Sequence, residues 1–189
     1  MKNAEITILA ISSSLSPTSR SRTMARIALD GLTRFEGVRR RWIDLGEFDL
    51  RSYPRSEDDP LVAWMREEFE AADGLIVACP VYNWGAAGSL TNFFHYVLDS
   101  ENGRRHRPFV ILGGAGTVRS HLALDGVARS LLNEIQGIQI GPPILGAGSE
   151  VDRDSDRLEP SLADRIEKTT TMLVTHAAVG SRQLEQSLA

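Results

Sequence analysis

Residues 5–11 (Glu-Ile-Thr-Ile-Leu-Ala-Ile), 75–79 (Leu-Ile-Val-Ala-Cys) and 108–112 (Pro-Phe-Val-Ile-Leu) are short runs in which odd and even positions are both mostly apolar. A strand of that kind must be covered on both faces, so these runs predict central strands of a parallel sheet. Residues 38–45 are different: Arg39, Arg40 and Arg41 interrupt the run, and charge of this kind belongs on an edge strand. Residues 138–145 predict a last strand that Pro142 and Pro143 bend, again an edge. Between the strands the period changes to that of a helix. Met24, Ile27, Ala28 and Leu32 mark a helix over 21–33, and Leu61, Val62, Met65 and Phe69 a second that starts at Asp58-Asp59-Pro60. Leu90, Phe93, Phe94, Val97 and Leu98 follow an i, i+3, i+4, i+7, i+8 pattern. A fourth helix is predicted over 118–135, with Leu124, Val127, Ala128, Leu131, Leu132 and Ile135 on its apolar face, and a closing helix over 160–178. Residues 46–60, 99–107 and 149–159 read as loops. The domain is expected to span 1–180, and 181–189 to form a loose C-terminal tail.

Strand and helix alternate from end to end, the pattern of an α/β protein with a parallel sheet between two helical layers. Right-handed crossovers and the edge character of the second and fifth strands select one order. The expectation is a flavodoxin-like three-layer sandwich with a five-stranded parallel sheet in the order 2-1-3-4-5. In such a sheet, ligands sit beyond the carboxyl ends of the strands. Residues 12–22, 80–88 and 113–117 are the loops at those ends.

Composition narrows the partners. At 189 residues the chain suits one domain, and 42% hydrophobic with 24% charged residues is ordinary for a soluble globular protein. A net charge of −4 argues against nucleic acid as a partner. No apolar run approaches the roughly 18 residues of a membrane span, and the first residues lead into a strand without a signal-peptide-like segment. The single cysteine, Cys79, excludes an internal disulfide and fits a reducing cytoplasm. No metal-ligand spacing is present. Gly114-Ala-Gly116 lacks the third glycine of a dinucleotide fingerprint. Cys79 itself reads as a small buried hydrophobe, and Arg39–Arg41 as a solvated edge.

The three loops carry the chemistry. Ser12-Ser-Ser-Leu-Ser-Pro-Thr-Ser-Arg-Ser-Arg22 joins the first strand to the first helix. Its hydroxyls can donate to phosphate oxygens, Arg20 and Arg22 can offset a dianion, and a helix N-terminus points its amides the same way. The P-loop ending Gly-Lys-Ser/Thr is missing, so the loop suits a phosphomonoester better than a polyphosphate. The plainer reading is a solvated turn that ends in an N-cap. Tyr82, Asn83 and Trp84 in the second loop suit the face and polar edge of a planar heterocycle. The third, Gly113-Gly-Ala-Gly-Thr117, lets backbone approach a flat ring closely. A phosphate at one end and a flat ring at the other describe FMN.

Ser13-Ser-Leu-Ser-Pro-Thr-Ser-Arg-Ser21, Ala72-Asp-Gly-Leu-Ile-Val-Ala-Cys-Pro-Val-Tyr-Asn83 and Gly116-Thr-Val-Arg-Ser-His-Leu-Ala-Leu-Asp125 resemble the NADPH-dependent FMN reductase family. The third stretch is most similar to the branch that supplies reduced flavin to two-component monooxygenases. The resemblance implies that Ser14, Ser19, Arg20 and Ser21 hold the FMN phosphate. It implies that Pro80, Val81, Tyr82 and Asn83 run along the ring, with Gly114, Gly116 and Thr117 nearby. It also implies a homodimer or homotetramer, NADPH or NADH as hydride donor, and no catalytic side chain, since the cofactors do the chemistry. Ser13, Ser16, Trp84 and Ala86 depart from the family's usual residues, and they leave open whether the flavin is substrate or prosthetic group. Free FMN, a quinone, an azo dye or a monooxygenase are the acceptors to weigh, beside a flavodoxin-like electron carrier without nicotinamide turnover.

Overall fold

The apolar runs do pair in parallel. β1 (Ile6–Ser12) lies between β2 (Val38–Asp44) and β3 (Gly74–Tyr82), with Ser12 opposite Asp44 on one side and Ala78 on the other. After the two-residue β4 (Gly85–Ala86), β5 (Pro108–Ala115) flanks β3 with Pro80 opposite Gly114. The computed structural model describes residues 5–53, 59–98 and 106–188, without the side chains of 131 and 182–188. Asp58 at the expected start of the second helix, most of the charged turn at 99–107, the Leu131 side chain and residue 189 lie outside the described residues.

The order β2-β1-β3-β5 is the one the sequence predicts, but the sheet has seven strands, not five. Both extra strands have local causes. Pro142-Pro143 cannot donate ladder hydrogen bonds, so the last strand splits into β6 (Ile138–Gln139) and β7 (Ile144–Ala147), both paired with β5. At the carboxyl end of β3 the chain turns back at Asn83-Trp84 and pairs antiparallel with β4. The loop expected at 149–159 contains a hairpin of β8 (Val151–Asp152) and β9 (Arg157–Leu158). There the Asp152 carboxylate accepts from the amides of Asp154 and Ser155 and from the Ser155 hydroxyl, which together hold it below its ordinary pKa.

Two helical layers cover the sheet. α1 (Arg20–Asp30) and α5 (Pro160–Leu188) lie on one face, with α2 (Pro60–Glu70), α3 (Gly88–Val97) and α4 (His121–Glu134) on the other. The strands' parity explains their composition. Ile8 and Ala10 of β1, Ile76 and Ala78 of β3, and Val110 and Leu112 of β5 face α1 and α5. Leu9, Ile11, Leu75, Val77, Phe109 and Ile111 face the other layer, whose helices add Phe69, Phe93 and Phe94 packed edge to face. α2 starts where the sequence places it, with Asp59 accepting from the Leu61 amide at 2.9 Å and Pro60 at the first position. The backbone of α5 runs on to Leu188, past the 178 expected for the end of the closing helix. Gly180 costs a helix only about 1 kcal/mol, and no proline follows it to stop the helix.

Candidate functional site

β1, β3 and β5 end on one edge of the sheet, and the first loop starts there under firm anchorage. The Ser13 amide and hydroxyl both donate to the Ala78 carbonyl, at 2.9 and 3.1 Å, and the Ser89 hydroxyl at the start of α3 donates to the Ser13 carbonyl at 2.6 Å. Ser14, 1% exposed, accepts from the Ser16 amide. Ser19 is the N-cap of α1: its hydroxyl oxygen accepts from the Arg22 amide and lies 3.1 Å from the buried Ser21 hydroxyl. The structure therefore gathers Ser14, Ser19 and Ser21 around the first turn of α1. Among the described residues, the amides of Arg20 and Ser21 have no acceptor, as befits the open end of a helix. Ser12 ends β1 and leads into this loop. It shares the parity of Ile8 and Ala10, which face α1, and its fully buried hydroxyl has no partner among the described residues. A buried hydroxyl of that kind is costly unless something polar meets it.

The two arginines divide their tasks. Arg20 donates through Nε to the Gly148 carbonyl at 3.0 Å, leaning toward the loop after β7. Arg22, expected to help offset an anion, is engaged elsewhere. Its Nε lies 2.5 Å from Asp44 Oδ2, and Nη2 donates to Asp44 Oδ1 at 3.1 Å and to the Ser14 carbonyl at 2.6 Å. Nη1 donates to the carbonyls of Ser16 and Pro17. Asp44 is 2% exposed, so this is a largely buried ion pair on the β2 side of the loop. The sequence reading missed it because nothing in the local pattern links Arg22 to Asp44, 22 residues further on. The sheet register makes it the neighbour of Ser12.

The third loop is also placed differently from the expectation. A Cβ on Gly114 would lie 2.6 Å from the Ser21 amide nitrogen and 3.1 Å from Cβ of Arg20 and of Ser21. A Cβ on Gly113 would run into Leu124 of α4. These glycines let two helices approach β5, and Gly114 in particular lets the first turn of α1 lie directly against the strand. Gly116 and Thr117 stand exposed beyond the end of β5, and Gly116 has open space around it. Gly113 and Gly114 are buried, so the exposed backbone of this loop is that of Gly116 and Thr117.

Pro80 and Val81 are buried at the end of β3, whereas Tyr82 is 57% exposed and Asn83 is exposed. Asn83 and Trp84 are both at positive φ, 48° and 65°, which a two-residue turn between right-twisted strands requires. Asparagine tolerates that region, but a tryptophan there is strained, and Trp84 is 63% exposed. Cys79, one residue before Pro80, is fully buried on the α2–α4 side, and burial pushes its thiol up to about 12. It is packing, with no thiolate to offer.

Behind the first loop, a cleft of about 370 Å³ lies between Pro17–Ser19 and Arg22, Thr23 and Arg26 of α1, the end of β2, and Arg153 and Asp156 of the β8–β9 hairpin. The Thr23 hydroxyl donates to Asp156 at 2.9 Å across it. Arginines and carboxylates line it in equal number, so it has no marked preference for one sign of charge.

Residues 6–152 match the model of a family described as NADPH-dependent FMN reductase. Among solved structures, the chain is similar to an NADH:FMN oxidoreductase in its apo form, at 23% identity and a TM-score of 0.76, covering 89% of this chain and 88% of the other. It is similar to a flavoenzyme NAD(P)H:(acceptor) oxidoreductase from Paracoccus denitrificans, at 16% identity and TM-score 0.74, covering 91% and 97%. A third is an FMN-dependent NADH-azoreductase from Bacillus anthracis in complex with FMN, at 9% identity and TM-score 0.66, covering 88% and 99%. At these identities the likeness to solved structures is one of fold. No sequence among the curated proteins matches the chain.

Proposed function

We propose a function from the premise that this chain belongs to the NADPH-dependent FMN reductase family: it binds FMN at the edge formed by its three loops and reduces it with NAD(P)H. The observation that carries the placement is the first turn of α1. The unpaired amides of Arg20 and Ser21 and the Ser19 and Ser21 hydroxyls share that turn, and the orphaned Ser12 hydroxyl ends the strand that leads into the loop, on the parity that faces α1. That donor set fits a phosphate dianion, which gains from the helix N-terminus as well as from the hydrogen bonds.

In this reading Ser14, Ser19, Arg20 and Ser21 hold the phosphate. Pro80, Val81, Tyr82 and Asn83 form the wall along the ring, and Gly116 and Thr117 border it from the β5 side. Gly114 acts from behind, by letting α1 seat. Bound FMN supplies the redox chemistry, accepting hydride from the nicotinamide and handing the electrons on. The chain's own part is orientation and exclusion of water: no side chain has to accept or deliver a proton, and Cys79 is held protonated.

A homodimer or homotetramer completes the proposal. Leu15, Tyr82, Trp84, Val118 and Leu122 are large apolar side chains left exposed on the loops of this edge and at the start of α4, and a second copy would cover them. A cytoplasmic location is proposed from the lone buried thiol. No described helix is long and apolar enough to cross a membrane. The acceptor is proposed to be a flavin-dependent monooxygenase or a small oxidant.

The test is a visible spectrum of the protein with FMN, followed by anaerobic addition of NADPH or NADH. Bleaching of the flavin is the expected result, and Arg20→Ala should weaken FMN binding several-fold. Tightly bound flavin that neither nicotinamide bleaches would refute the reductase assignment and favour an electron carrier.

A further inference from the structure

We infer that Arg22 is the positioning residue of the phosphate loop: it does not hold the phosphate itself, but it turns three carbonyls of the loop away from the site and so aims the loop's amides into it. The inference rests on the phosphate placement proposed above and adds a mechanism that placement does not contain.

The geometry is that of a fork closed on a loop. One planar guanidinium reaches the carbonyls of Ser14, Ser16 and Pro17, while Asp44 fixes it from behind through both carboxylate oxygens. Without such a donor, three carbonyl dipoles on so short a stretch could face the same pocket as the amides and would repel a dianion. Peptide planarity gives the second half of the argument. In a trans peptide the N–H of the next residue points opposite to the C=O. Pinning the Ser14 and Pro17 carbonyls to Arg22 therefore turns the Leu15 and Thr18 amides the other way. Neither amide has an acceptor among the described residues. The third pinned carbonyl, that of Ser16, precedes Pro17, which has no amide to aim.

Gly46 is part of the device. It follows β2, and its amide donates to Asp44 Oδ1 at 3.0 Å. A Cβ there would lie 2.6 Å from Arg22 Nη2 and 2.7 Å from the Ser14 carbonyl oxygen, directly in the bond between them. Its φ is ordinary, so alanine would act at this site by bulk alone. Arg22 and Gly46 thus offer two independent ways to disturb one hydrogen bond, and both leave a cation beside the buried Asp44.

The experiment compares FMN with riboflavin, which lacks only the phosphate, on the wild-type chain, Arg22→Lys and Gly46→Ala, with circular dichroism to check that each variant is folded. The wild type should bind FMN more tightly than riboflavin. In both variants that preference should shrink about ten- to a hundredfold, the worth of one hydrogen bond to a charged group, while riboflavin affinity stays within about twofold. Lysine keeps the charge but cannot make the planar fork, so a wild-type preference in Arg22→Lys would overturn the inference and make Arg22 a simple charge. Equal losses for FMN and riboflavin would also overturn it, since they would mark a general structural role. A wild type with no preference for FMN would instead refute the phosphate placement itself, and the inference with it.

Discussion

Gly114→Ala is the sharpest single perturbation of this site, because its cost and its cause can both be read from the structure. The new methyl carbon would lie 2.6 Å from the Ser21 amide nitrogen, where ordinary contact begins near 3.4 Å. Strand or helix must give by about 0.8 Å, and neither neighbour is a flexible side-chain tip: the obstacles are backbone and two Cβ atoms. β5 is held by β3 on one side and β7 on the other, so α1 is the element that yields. Overpacking of this kind costs about 1–3 kcal/mol, which for a chain of this size lowers Tm by about 2–12 °C. The displaced end of α1 carries the Arg20 and Ser21 amides. A shift of about 0.8 Å would take a hydrogen bond from an ordinary length to one that no longer holds, so FMN should bind at least about tenfold more weakly. Thermal unfolding and a fluorescence titration with FMN measure the two effects. Gly116→Ala is the companion variant. Gly116 has an ordinary φ and nothing within 4 Å, so its melting temperature should stay at the wild-type value, and any effect should be confined to flavin affinity. A Gly114→Ala protein with wild-type Tm and wild-type FMN affinity would refute the reasoning, as would equal destabilisation by both substitutions.

Two further outcomes are expected. Trp84→Gly should raise stability by up to about 1 kcal/mol, seen as a Tm gain of about 2–4 °C, because glycine adopts the positive φ that tryptophan resists. An unchanged or lower Tm would mean that the indole's packing outweighs its backbone strain. For Cys79, the folded thiol titrates near 12 against an ordinary 9.0, so the unfolded chain loses its proton first as pH rises. Its burial therefore stabilises fully below pH 9 and loses about 1.4 kcal/mol per pH unit above that. The stability difference between wild type and Cys79→Ala, measured by denaturant unfolding at pH 8, 9 and 10, should shrink accordingly. A difference that is flat across this range would show that the thiol is not desolvated.

The alternation of apolar runs and amphipathic segments was sufficient to determine the α/β class, the strand order and the edge at which the three loops meet. Those properties follow from which faces must be buried, and burial is written in the local pattern. The family resemblance was legible for a related reason, since Ser14 to Ser21 and Pro80 to Asn83 are contiguous stretches. What lay beyond the sequence was every relation between residues distant along the chain. The split of the last strand into β6 and β7 was half visible in Pro142-Pro143, but the turn at Asn83-Trp84 was not, because Trp84 contradicts the usual turn residues. The sequence offered Arg22 and Gly114 as a phosphate cation and a ring-facing backbone. In the tertiary structure Arg22 pairs with Asp44, because the register of β1 and β2 brings Asp44 beside Ser12, and Gly114 lies against α1, because its parity on β5 points it there. Register and parity arise only when strands pair, so which donors face the site and which hold it in shape was decided by the fold.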